Sequence, residues 1–150
     1  MVNKNTLEEE QALIVSAIKI ANKNNQALRL SNVNKFIWVT FQKSGIHYYP
    51  AAADDPALEK VSYLASPHRH IFHFKVQISV NSNDRDIEFI LFKQWLESFY
   101  DDKILKLDYR SCEMMCEDLF IQIEERYPSR DVIIDISEDG ENGAHMEFIQ

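Results

Sequence analysis

Glycine and proline are scarce, at 3 Gly and 4 Pro in 150 residues. Such a chain has no Gly-rich phosphate loop of the P-loop or dinucleotide-binding kind, and it is not a low-complexity sequence. Cysteine is nearly absent too. Cys112 and Cys116 lie four apart within a helical pattern, which fits reduced thiols and not a disulfide framework. No apolar run approaches the roughly 18 residues that a membrane helix needs, and Met1-Val2-Asn3-Lys4 leads into acidic residues in place of a signal-peptide core. The expected compartment is a cytoplasm, with no membrane partner. Positive charge is in deficit, with 16 Lys plus Arg against 24 Asp plus Glu and a net charge of −8. Duplex nucleic acid is a polyanion, so it is not an expected partner. What remains is 45% hydrophobic and 27% charged, the composition of an ordinary soluble domain long enough to bury a core.

Thr6-Leu7-Glu8-Glu9 has the Ser/Thr-x-x-Glu form of a capping box. It predicts a helix over 6–24 with a moderate apolar face, ended by the Asn-rich run 22–26. Residues 36–41 are aromatic and β-branched and predict a strand, with Ser44-Gly45 supplying a bulge or bend before 46–49. Three of the four prolines fall in 50–67, a loop with a short helical turn near 56–60. The clearest strand is 70–80, where Phe72, Phe74, Val76, Ile78 and Val80 share a face with His70. Helical spacing covers 86–100 and then 111–127, where Ser111 is the expected N-cap and Cys112, Cys116, Leu119 and Ile123 form one stripe. Strands at 131–137 and 144–149 around a Gly140 to Gly143 turn read as a hairpin. Strands and helices in separate blocks indicate an α+β fold with an antiparallel sheet, preceded by an accessory segment, 1–34, and built on 35–150.

Five histidines are present, and His68-Arg69-His70 is the informative spacing. Residues two apart on a strand share a face, so both imidazoles can address one ion, with His47 from the neighbouring strand as a third nitrogen. Three neutral imidazoles with an open position suit a catalytic zinc. The same pattern also suits a polar rim of hydrogen-bonded histidines. In the acidic turn 137–143, a strand-end carboxylate such as Glu138 can accept paired N–H bonds from a purine or pterin edge. A solvated hairpin turn has the same composition. The two cysteines and the aromatic strand 36–41 read as core.

Taken in order, these features resemble the 6-pyruvoyltetrahydropterin synthase and 6-carboxytetrahydropterin synthase family, the tunnelling fold, over about 36–148. Four pieces carry the resemblance. His47 follows a strand; His68-Arg69-His70-Ile71-Phe72 resembles the family's His-Gly-His-Asn-Tyr; Asp86 to Lys93 resembles its first helix start; and Ser111-Cys112-Glu113, with Ile136 to Asp139 and Asn142-Gly143, resembles its second helix start and terminal hairpin. The resemblance implies two antiparallel β-hairpins with two helices between them, assembled into a barrel-forming homo-oligomer, commonly a hexamer. It implies zinc held by His47, His68 and His70. It also implies a purine- or pterin-like ligand between subunits, gripped by Glu138 with Ser111 and Glu113 nearby.

Departures from the family fall on its reactive groups. Where the family carries a catalytic cysteine, this chain reads Ser62-Tyr63-Leu64-Ala65-Ser66-Pro67, and the family's Asp-His pair appears as Asp108-Tyr109. A serine hydroxyl ionises far less readily than a thiol. Tyrosine, with an ordinary pKa near 10, is a different acid from histidine. Asp108 and Tyr109 are the residues left for a catalytic role. Arg69 replaces the family's Gly and is expected to set a cation beside the metal, favouring a carboxylate or phosphate on the ligand. Three functions follow: a divergent zinc enzyme acting on a pterin or 7-deazaguanine precursor, a non-catalytic purine-nucleotide binding or sequestering protein on the same fold, or an interaction module without metal.

Overall fold

A computed structural model describes residues 4–31 and 33–150. The chain forms two compact units, Met1–Asn34 and Lys35–Gln150. The first is a helix, α1 (Lys4–Ser31). It begins before the predicted start and runs through the Asn-rich segment that was expected to end it. Asn in a helix interior costs only about 0.7 kcal/mol relative to Ala, far less than Pro, and the run contains neither Gly nor Pro. Arg29 in the last turn complements the helix dipole. The side chains of Thr6 to Glu8 in the predicted capping box lie outside the described residues. Leu13, Ile14, Ile18 and Ile20 of α1 are exposed. Among the described residues no helix is long and apolar enough to cross a membrane.

The second unit is α+β. Its elements are β1 (Phe36–His47), β2 (His68–Ser79), α2 (Phe89–Glu97), β3 (Leu105–Asp108), α3 (Cys112–Arg126), β4 (Val132–Glu138) and β5 (Asn142–Phe148). One five-stranded sheet has the order β3-β1-β2-β4-β5. It is mixed, not purely antiparallel as the sequence suggested: β3 runs parallel to β1, and the other three pairings are antiparallel. β1 is a single strand paired with β2 without interruption from Phe36↔Ser79 to His47↔His68. The bend expected at Ser44-Gly45 is absent. Gly45 serves close packing instead, since a Cβ there would meet Leu107 and the Phe72 ring at 2.9 Å.

Alternation decides what the sheet buries. On β2, Phe72, Phe74, Val76 and Ile78 are buried while Arg69, Ile71 and Lys75 on the other face are exposed. Val39 and Phe41 of β1 and Val132, Ile134 and Ile136 of β4 join them. Phe92 and Leu96 of α2 and Cys112, Met115, Cys116, Leu119 and Ile123 of α3 complete the same core cluster, so both helices cover one face of the sheet. Each fully buried Leu, Ile or Phe contributes about 1.5–3 kcal/mol. The stripe predicted for α3 is the buried one; on α2, Phe89 stays exposed.

Continuing these alternations to the strand ends locates the site. His47 falls on the core face of β1, His68 and His70 on that of β2, and Glu138 on that of β4, because each lies an even number of residues from a buried neighbour. Gly45 lies opposite His70 and Phe72 opposite Glu138. The four polar side chains therefore gather at one end of the core, where it runs out of apolar residues.

Candidate metal centre

His47, His68 and His70 offer ring nitrogens that all lie within 4.8 Å of one another, with ring centroids 4.7, 5.2 and 5.0 Å apart. Each Nδ1 has an acceptor of its own. The Nδ1–H of His47 donates to the Arg110 carbonyl at 3.1 Å, that of His68 to the Ser66 carbonyl at 2.7 Å, and that of His70 to Asp139 Oδ2 at 2.6 Å. A carbonyl or carboxylate can only accept, so the proton sits on Nδ1 in all three rings. That leaves the three Nε2 atoms as the ring nitrogens not engaged by these acceptors. The Nε2 atoms of His68 and His70 are buried and have no hydrogen-bond partner. Buried polar atoms rarely go unpaired, and an orphan calls for an explanation such as an ion. The set can hold a metal ion, and an acceptor behind each ring is how proteins orient metal-binding histidines.

Glu138 faces this cluster. Its Oε1 is 3.1 Å from His47 Nε2 and its Oε2 is 3.6 Å from His70 Nε2. Asp139, the next residue, supports from behind. Its Oδ1 accepts the Ile71 amide at 2.8 Å and its own N–H donates to the Ile71 carbonyl at 2.8 Å. The turn allows this because Asp139 and Gly140 take φ of +54° and +75°, the left-handed conformation that Asp-Gly adopts in tight hairpins. The bond from His70, then that from the Ile71 amide, hold the Asp139 carboxyl below the usual carboxylate range.

A cavity of about 340 Å³ opens beside the cluster, with His47, His68 and Glu138 on one side and Tyr109, Ser111 and Glu113 also lining it. Its volume is that of a small-molecule site. It brings together most of the residues that the sequence singled out. Ser111 caps α3, its Oγ accepting the Met114 amide at 3.2 Å. Tyr109 is exposed. Asp108 does not line the cavity; with φ of +52° it turns the chain out of β3, and its carbonyl accepts the Tyr48 amide at 2.8 Å.

Arg69 departs from expectation. It lies between two core-facing histidines, so strand alternation sends it to the opposite face, where its guanidinium donates to Ser44 Oγ at 3.1 Å. It sets no cation beside the cluster. Sequence reasoning did not find Arg110, whose carbonyl orients His47 while its guanidinium pairs with Asp118. A main-chain acceptor leaves no mark in residue type. The Ser66 carbonyl was missed for the same reason.

Both cysteines are buried. Burial, followed by the charges of Glu138 and Glu113, pushes the Cys112 thiol up to about 11. Burial, followed by Cys112, pushes Cys116 up to about 12. Although Cys112 borders the cavity, its thiol is a protonated core group and not a nucleophile. Neither any protein-family model nor any curated protein matches the chain at a significant level.

Proposed function

We propose that this chain is a divergent zinc protein of the 6-pyruvoyltetrahydropterin and 6-carboxytetrahydropterin synthase type, binding a purine- or pterin-like ligand beside the three histidines at a subunit interface. One observation carries the reading. Three histidine rings, each with an acceptor at Nδ1, bring ring nitrogens within 4.8 Å of one another next to a cavity that also holds Glu138 and Glu113. Imidazole-only sites suit zinc, which when bound polarises an oxygen of the ligand and makes its attached protons more acidic. The chain's own groups supply the rest. A carboxylate of Glu113 or Glu138 accepts paired N–H groups of a heterocycle, and Tyr109, with its phenol exposed at the cavity, donates a proton to the ligand.

A second reading has its own support. The 62–67 segment has no thiol, both cysteines are protonated in the core, and Asp108 serves the turn and lies outside the cavity wall. On that reading the protein binds a purine nucleotide and does not transform it.

Incubating the zinc-loaded chain with dihydroneopterin triphosphate separates the two. The first reading expects conversion, lost in Tyr109→Phe or in His70→Ala. Retention of the intact compound without conversion supports the second. Neither conversion nor retention contradicts both.

A further inference from the structure

The metal reading makes no use of α1. Lys4–Ser31 is one uninterrupted helix of 28 residues, about 42 Å long, and Leu13, Ile14, Val15, Ile18 and Ile20 in its middle are each more than half exposed. Helices in proteins draw most of their stability from packing an apolar face, and Asn22, Asn24 and Asn25 are poor helix formers. A contiguous apolar cluster held in water marks an interaction surface. Its spacing gives the shape of the partner. Leu7, Ile14, Ile18, Ala21 and Leu28 fall on a single heptad seam, with Gln11 and Asn25 at its polar positions. That is the seam of a helix packed lengthwise against another helix.

Charge identifies which helix. The acidic residues of α1 are Glu8, Glu9 and Glu10 alone, and its basic residues apart from Lys4 are Lys19, Lys23 and Arg29 in its second half. Two copies laid antiparallel about a twofold axis near residue 17 set the acidic run of each beside Lys23 and Arg29 of the other. The same axis lays Ile14 and Ile18 of one copy on Ile18 and Ile14 of the other. Laid parallel, the two acidic runs stand side by side and repel. Because its acidic and basic residues nearly balance, α1 also escapes the repulsion that the net charge of −8 sets up between whole chains. We propose that α1 pairs antiparallel with α1 of a second copy of this chain. The pairing goes beyond the metal reading and does not depend on it.

Single cysteines at the two polar seam positions test it on the full chain. Gln11→Cys and Asn25→Cys chains are mixed and treated with a short bismaleimide, and the products are separated under denaturing conditions and identified by peptide mass. The mixed 11–25 product is expected to exceed the 11–11 and 25–25 products several-fold, while the wild type, whose two cysteines are buried, gives none. Lys23→Glu with Arg29→Glu, added to both chains, leaves the seam intact and is expected to lower the mixed yield several-fold. Ile18→Glu is expected to abolish it, with far-ultraviolet circular dichroism as the check on folding. An excess of 11–11 and 25–25 products, or a mixed yield that charge reversal does not change, overturns the antiparallel arrangement. No cross-link above the wild type means that something other than a second α1 covers the helix, and overturns the pairing. His70→Ala, which removes the metal on the reading above, is expected to leave the yield unchanged, so the two proposals fail separately.

Discussion

The imidazole at position 70 shows how much of the site residue type alone encodes. That His68 and His70 share a face follows from their spacing of two on a strand, and their register with His47 follows from pairing β1 with β2. What the sequence does not display is the fixing of their tautomers. Two of the three acceptors are main-chain carbonyls, of Ser66 and Arg110, and a carbonyl's direction depends on the path of the backbone. Asp139 was visible as an acidic turn residue, but its reach across to His70 depends on the register of β2 with β4. Cysteine illustrates the opposite case, because a helical stripe shared with Leu119 and Ile123 was enough to place both thiols in the core. With Cys112 pushed up to about 11 and Cys116 to about 12, thiolate is scarce at pH 8. Ellman's reagent should react with neither in the native protein and with both after denaturation. A fast-reacting thiol in the folded chain would show that the core is not packed as described.

Elements were legible where a period was long and clean, as in β2 and α3, and illegible where structure depends on a distant partner. β3 has four residues, Leu105–Asp108, of which Leu105 and Leu107 are buried. Its parallel pairing to β1 across an intervening strand and helix left no local sign, so the sheet was expected to be antiparallel throughout. Gly45 misled for a related reason, because what it makes room for is a ring on the next strand and a leucine on β3. The start of α3 was fully visible: Ser111 is the cap, and it also borders the cavity. Replacing it with Ala removes the acceptor for the Met114 amide and should cost about 0.5–2 kcal/mol of stability, read as a lower urea midpoint with an unchanged slope. An unchanged midpoint would mean that this bond is not made in solution.

At the scale of the whole molecule, an acidic chain has gathered three of its five histidines where the sheet's apolar face ends. The net charge of −8 and the unpartnered Nε2 atoms point the same way, toward attraction for a cation. Subunit number belongs to the proposal and not to the fold of one chain, and native mass spectrometry reads it together with bound metal. That measurement on the full chain, after zinc loading and exchange into volatile buffer, is the most direct test of the central claim that His47, His68 and His70 form a metal centre. The account predicts one zinc per chain in the wild type. It predicts none in His68→Ala or His70→Ala, with circular dichroism unchanged. A folded wild-type chain that holds no zinc, or one whose zinc survives the loss of either histidine, would contradict it.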